Sequence, residues 1–194
     1  MNYDKIQEII EVCPNLPLFE NNSDLKREYS REWQKYLKHK RNVYEHIDDK
    51  SIDANMVSEA NWILRNKYVS CESFGVNAKA GDICFIDFGQ AYVNETGYQH
   101  FGLIMTFCKS KALVIPMTSN STQYHRALDE ENPDGRIHLM RIGKVPGLNK
   151  PSVLFMNDMK FINSSRIIDV KAHINVNSSL FKMIQKRMVK IMFG

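Results

Sequence analysis

The chain is sparing with cysteine: four in 194 residues, at positions 13, 71, 84 and 108, none in a C-x-x-C pair. That spacing supplies neither a thiolate zinc site nor the disulfide framework of a small secreted domain, so the thiols are expected to be reduced and mostly packing groups. No run approaches the roughly eighteen consecutive apolar residues that a membrane-spanning helix requires. The opening MNYDKIQEIIEVC mixes charged and apolar residues where a secretory signal would have a cationic start and an apolar stretch, so cytoplasmic residence is the expectation. There is no G-x-S-x-G, no H-E-x-x-H, no glycine-rich phosphate loop, no internal repeat and no low-complexity tract. The familiar serine hydrolase, zinc protease and nucleotide-binding signatures are thereby excluded.

What remains is an ordinary globular composition. With 43% hydrophobic residues, the chain can bury one core, or one core and a small appendage. The net charge of +4 is mild, but its distribution is uneven. Before Gly81 the charges nearly cancel; from Asp82 onward Lys109, Lys111, Arg126, Arg136, Arg141, Lys144, Lys150 and the tail's Lys182, Lys186, Arg187 and Lys190 outnumber the carboxylates. Any polyanion would bind the second part.

Hydrophobic periodicity changes near the same point. In DLKREYSREWQKYLKHKRNVYEHI, Leu25, Tyr29, Trp33, Tyr36, Leu37 and Tyr44 recur at steps of three, four and seven, which predicts one long amphipathic helix. A second helix is expected from Ala54 to about Tyr68, capped by Asp53, with Met56, Ala60, Ile63 and Leu64 inward, and a short one from Asp4 to Val12. Trp33 and Trp62 read as core anchors. The stretch SCESFGVNAKAG, 70 to 81, reads as a connecting loop.

After Gly81 come ICFIDF, LIMTFC, ALVIPMT, IHLMRI, SVLFM and RIIDV, short strand-like segments separated by polar or Gly/Pro turns. The short turn between LIMTFC and ALVIPMT predicts an antiparallel hairpin. Pro116 predicts an edge or a bulge. Finally SSLFKMIQKRMVKIMF lines up Leu180, Met183, Ile184, Met188, Ile191 and Met192 as a helical stripe, with the tail's cations forming a solvated face. The fold class is α+β: a helical part over 1–78, then a small β-barrel or sandwich with a C-terminal amphipathic helix over 79–194.

The chemistry-bearing residues form a constellation. GDICFIDFG opens a strand, the polar loop QAYVNETGYQH follows, GLIMTFC is the next strand, and VIPMTSNS ends the third in hydroxyls: Thr118, Ser119, Ser121 and Thr122. A hydroxyl-rich strand end near a loop carrying His100 suits proton transfer, since imidazole titrates near neutrality. Asp82, at a strand start, reads as structural, ordering the neighbouring loop.

The order GDI-x5-G, then E-x-G and a polar residue before an aliphatic strand, then IPMTS, resembles the MazF/PemK toxins of type II toxin–antitoxin modules. The likeness spans roughly residues 79 to 170, and KVPGLNKPSVLFMNDMKFINSSRII is similar to the family's G-L-x-K-x-S segment and closing strands. It implies a small, strongly curved β-barrel, with a helical N-terminal extension in longer members. It also implies a homodimer that cuts single-stranded RNA without a metal or cofactor, and a cognate antitoxin whose acidic, mostly disordered segment obstructs the site. The family's catalysts are an Arg at the start of the second strand and a Ser or Thr after the third.

This chain departs at the first of these. Where the family has G-x-R-P it has Gly97, Tyr98, Gln99 and His100, so either Gln99 or His100 takes the arginine's place, and His100 is favoured. Thr118 and Ser119 would donate to the scissile phosphate; Glu95, Lys109, Asn120 and Arg126 are the RNA-binding candidates, with loops 89–98 and 119–135 bordering a flexible groove. Two other readings stand beside this one. A barrel that lost its chemistry would be a binding module for RNA or protein. A thiol hydrolase of NlpC or lecithin-retinol-acyltransferase type, whose permuted opening GDI and Y-x-H also resemble, would need Cys108, which follows His100 too closely and lacks a presenting helix.

Overall fold

The computed structural model describes residues 23–194, with side chains from 30 onward. The expected Asp4–Val12 helix and Cys13 lie outside the described residues. The chain divides into two compact units, Met1–Leu64 and Arg65–Gly194.

The first unit contains helices α1 (Ser23–Tyr44) and α2 (Asp49–Arg65, whose last residue belongs to the second unit). α2 begins five residues before the expected Ala54, because the Asp48 carboxylate accepts from both the amide and the hydroxyl of Ser51 and caps the first turn in place of Asp53. The described bonds between the helices are polar: Tyr44 Oη donates to Asn55 Oδ1 at 2.7 Å, and Lys40 pairs with Glu59. The face expected to be buried is accordingly open. Trp33 is 57% and Trp62 64% exposed, so neither is a core anchor, and Tyr36, Leu37, Met56 and Ile63 are exposed as well; of the residues expected inward on α2, Ala60 is buried and Leu64 half-buried, beside the buried polar Asn55 and Ser58.

The second unit is built on seven strands: β1 (Asp82–Asp87), β2 (Gln99–Cys108), β3 (Lys111–Thr118), β4 (Leu139–Gly143), β5 (Ser152–Phe155), β6 (Lys160–Asn163) and β7 (Ile167–His173). They pair antiparallel in the order β4-β5-β3-β2-β1-β7, with β6 beside β3. The α+β class is as the sequence leads one to expect. The sheet, however, is an open path whose outer members β4 and β7 do not pair, rather than a closed barrel.

The β2–β3 hairpin is tight. Cys108 faces Lys111 across a turn in which Lys109 adopts a left-handed conformation. Pro116 sits neither at an edge nor in a bulge: β6 serves the outer side of β3 from Lys111 to Val114 and β5 serves it at Met117 and Thr118, so Pro116, lacking an N–H, falls in the gap between them. The strand β6 (KFIN) has one buried apolar residue and went unrecognised in the sequence.

Side chains alternate across the sheet and build two apolar layers. One holds Ile83, Leu103, Ile115, Met117 and Leu154. Helix α4 (Ser179–Phe193), capped by Ser178, packs Phe181 and Ile184 against it; burying each contributes about 1.5–3 kcal/mol. Met183 and Met192 of the expected stripe are exposed, and Phe181 takes the buried position instead. The other layer holds Cys84, Ile86, Ile104, Val114 and Ile167, with Cys71 from the 3-10 turn Cys71–Phe74. Gly102 is needed there, since a Cβ would lie 2.5 Å from Val114 Cγ1. No helix of the described residues is long and apolar enough to cross a membrane.

Candidate functional site

Antiparallel pairing brings one end of five strands together. At that end β1 finishes with Asp87, β2 starts with Gln99 and His100, β3 finishes with Thr118 followed by Ser119, β5 starts with Ser152, and β7 is entered through Arg166. The pair Phe101–Met117 ends the β2–β3 ladder, and one residue further out stand His100 and Thr118. The sequence places these four residues 99, 100, 118 and 119 apart along the chain; the ladder makes them neighbours.

Beside this end lies a cleft of about 470 Å³. Phe101 and Met117 supply its apolar part, Thr118 and Ser119 one rim, and the turn Gly147–Lys150, with Ser152, the other; Lys171 reaches in from β7. The turn is held close to β7. Gly147 has φ +94° and a Cβ there would fall 2.7 Å from the Lys171 carbonyl oxygen, so only glycine permits the approach. Lys171 pairs with Asp169, and that bond keeps the Asp169 carboxyl below its ordinary range.

Thr118 Oγ1 accepts from the amide of Asn120 at 3.2 Å, and the Asn120 side chain accepts from Gln123 N at 3.2 Å, capping the short helix α3 (Ser121–His125). Asn120 is therefore occupied in shaping the turn after β3. The loop that continues from it is clamped. Arg141 on β4 donates from Nε to the Tyr124 carbonyl at 2.8 Å, lies over the Tyr124 ring and pairs with Asp129 at 2.6 Å. The β1–β2 loop is likewise closed at its neck, where Tyr98 N donates to Gly89 O at 2.6 Å and Thr96 N to Asp158 Oδ2 at 2.6 Å. Its tip is open, with Tyr92 85% and Val93 90% exposed.

His100 is exposed, and its Nδ1 donates to the Gly97 carbonyl at 2.6 Å. It pairs with Ile86, so its ring leaves the sheet on the face opposite that of Phe101, and it does not line the cleft. Gln99 shares the face of Phe101 and donates from Nε2 to Asp87 Oδ2 at 3.2 Å. Glu95 accepts from Tyr92 N within its own loop. Arg126 is exposed at the end of α3, outside the cleft lining. Lys109 occupies the β2–β3 turn, at the other end of β2 from Gln99. The structure thus gathers Gln99, His100, Thr118, Ser119 and Asn120 at one sheet end, and not Lys109.

Lys150, Lys171, Asn149 and Ser152 were not singled out from the sequence. GLNKPS carried a signal for Lys150 and Ser152, being the stretch compared with G-L-x-K-x-S; Lys171 carried none, because only the packing of the Gly147 turn on β7 brings it near. Asp82 is structural as expected: its carboxylate accepts from Lys79 N at 2.8 Å and from His173 Nδ1 at 2.7 Å.

The thiol alternative finds little support in geometry. Cys108 and His100 stand at opposite ends of β2, about 26 Å apart at the usual strand rise. Burial, reinforced by the Asp82 carboxylate, pushes the Cys84 thiol up to about 12.

No protein-family model matches the sequence, and no curated protein matches it. Among solved structures the chain is similar to the toxin MazF-mt6 of Mycobacterium tuberculosis, at 15% identity over 57% of this chain and 95% of that one, with a TM-score of 0.40. An endoribonuclease from mycobacterial species, in complex with its cognate antitoxin, is similar at 9% identity over 60% of this chain and 95% of that one, with a TM-score of 0.43. MazF from Deinococcus radiodurans is similar at 12% identity over 59% of this chain and 96% of that one, with a TM-score of 0.43.

Proposed function

We propose that this chain is a metal-independent endoribonuclease for single-stranded RNA, the toxin of a type II toxin–antitoxin module. The observation that carries this reading is the cleft in which the strand-end hydroxyls of Thr118 and Ser119 face Lys150 and Lys171 beside the exposed ring of Phe101. Two ammonium groups suit successive phosphates, hydroxyls donate to non-bridging oxygens, and an exposed aromatic face stacks an unpaired base.

The reaction needs only the substrate's own nucleophile. The ribose 2′-oxygen attacks the adjacent phosphorus, losing its proton, and the bond to the 5′-oxygen breaks as that oxygen gains one. The products are a 2′,3′-cyclic phosphate and a 5′-hydroxyl end. In this scheme the ribose lies across the strand end itself, where His100, on the face opposite the cleft, takes the proton, while the lysines and Ser119 steady the charge that builds on phosphorus from the cleft side. The antitoxin partner is an acidic segment complementary to the cationic second unit, and the working form is a cytoplasmic homodimer.

Wild-type and His100→Ala protein, incubated with a long single-stranded RNA in EDTA, test the reading. Cleavage by the wild type alone, leaving 2′,3′-cyclic phosphate ends, supports both the activity and the role of His100. Equal cleavage by both removes His100 from the mechanism, and no cleavage by either favours a module that binds without cutting.

A further inference from the structure

The site lacks an arginine where the motif calls for one, and the fold offers another from a distant part of the chain. The pair Ile86–Ile167 closes the β1–β7 ladder, which sets Asp87 and Arg166 side by side just beyond it. Arg166 donates from Nη1 to the Asp87 carbonyl at 3.3 Å, and the same Asp87 holds Gln99 through its carboxylate. Gln99 is, with His100, one of the two residues standing where the motif has its arginine. Two residues far apart in sequence are thus fastened to one, at the sheet end that carries Thr118 and Ser119.

Three features fix the Arg166 guanidinium there. Asn163 Oδ1 accepts from Ser165 N at 2.8 Å and shapes the turn entering β7. Arg65 donates to the carbonyls on both sides, Ser165 O at 2.9 Å and Ile167 O at 3.2 Å, and its own guanidinium lies 4.1 Å from the Phe74 ring. Gly89, at φ +81°, leaves the space the guanidinium fills: a Cβ there would meet Nη1 at 2.9 Å. Among the described residues no carboxylate lies within ion-pair distance of Arg166, and its one hydrogen bond leaves further N–H groups unspent. A held, half-buried guanidinium with N–H groups to spare is suited to take an anion in its fork.

We infer that Arg166, brought beside Gln99 by way of Asp87, is a catalytic residue that contacts the scissile phosphate and stabilises the charge gained as the 2′-oxygen attacks and before the 5′-oxygen departs. The inference rests on the ribonuclease reading above.

The test uses the full chain, with Arg166→Lys and Arg166→Gln compared with wild type. Three readouts are taken: single-turnover cleavage of single-stranded RNA in EDTA, affinity for the same RNA with 2′-O-methyl riboses, and melting temperature. Loss of a transition-state donor predicts a cleavage rate about 100-fold lower for Arg166→Gln and about tenfold lower for Arg166→Lys, with affinity within about threefold of wild type. Added methylguanidinium should restore part of the rate of Arg166→Gln, which a merely structural arginine would not allow. Folded variants that cut RNA within about threefold of wild type overturn the inference, as do variants whose rate falls only in step with melting temperature and is not rescued. If Arg166→Gln does not fold, Arg166→Lys, which can still reach the Asp87 carbonyl, decides by the same criteria. A wild-type protein that cuts no RNA overturns the ribonuclease reading itself, and with it the role given to Arg166.

Discussion

Gln99 and Asp87 face each other across the β1–β2 ladder and are joined side chain to side chain at 3.2 Å. The other Asp87 oxygen accepts from Gly89 N at 2.9 Å, so one buried carboxylate both orients Gln99 and folds the start of the β1–β2 loop. Asp87→Ala leaves these donors without that acceptor and should lower unfolding free energy by about 1–3 kcal/mol, measured by urea denaturation; Asp87→Asn, which keeps one acceptor oxygen, should cost less.

Lys150 and Lys171 line the cleft from opposite elements. If each neutralises one RNA phosphate, Lys150→Met or Lys171→Met should flatten the slope of log affinity against log salt by about 0.7, the value for a single-strand phosphate. Fluorescence anisotropy over a salt series reads this directly. An unchanged slope in both variants would sink the assignment of the cleft to the RNA backbone.

Ser119 stands on the rim of the same cleft, where the proposed reading has its hydroxyl donate to the phosphate. Ser119→Ala should slow cleavage by about tenfold or more without moving the melting temperature, because no described structural bond is lost. Thr118→Val should do both, since Thr118 Oγ1 also accepts from Asn120 N.

Gly147 is the close-approach point between the cleft turn and β7. Gly147→Ala introduces a Cβ against the Lys171 carbonyl at a positive φ, and relieving it moves the turn outward. The expected result is a loss of about 1–3 kcal/mol in stability together with weaker RNA binding. Thermal unfolding and anisotropy on the same sample test the coupling.

Among the described cysteines, Cys108 is exposed while Cys71 and Cys84 are buried. With the Cys84 thiol pushed up to about 12, only about one molecule in ten thousand carries its thiolate at pH 8. Brief iodoacetamide treatment of the native protein followed by peptide mass spectrometry should label Cys108 and spare Cys84. Cleavage activity should survive that labelling, since Cys108 lies at the other end of β2 from Gln99.

Much of the second unit was legible because its apolar segments are short, rich in branched residues and separated by turn formers. The β2–β3 hairpin, the Asp82 loop contacts and the strand-end hydroxyls all followed from local pattern. What escaped was set by long-range pairing. β6 reads as a polar tetrapeptide and becomes a strand only because β3 offers Lys111–Val114 to it. Pro116 looked disruptive until two partners divided the side it cannot bond. Arg166 reaches the sheet end through β1–β7 pairing, and Lys171, toward the other end of that ladder, meets the cleft where the Gly147 turn packs on β7; no local spacing announces either. The helical unit misled for a different reason. Trp33 and Trp62 stand at core-like spacing, but Lys40–Glu59 and Tyr44–Asn55 join the helices through polar groups.

The direction of the β2–β3 hairpin has a kinetic consequence. Its tight turn at Lys109 and Ser110 closes the shortest loop in the sheet, so pairing starts there and zips toward Phe101 and Met117. The residues assigned to chemistry lie just past the last rung. Within the hairpin they order last, but Gln99 and His100 are also paired with β1 and Thr118 with β5, so fraying begins beyond them at Ser119, whose amide hydrogen should exchange faster than those of Thr106 and Leu113 while the ladders stay shut.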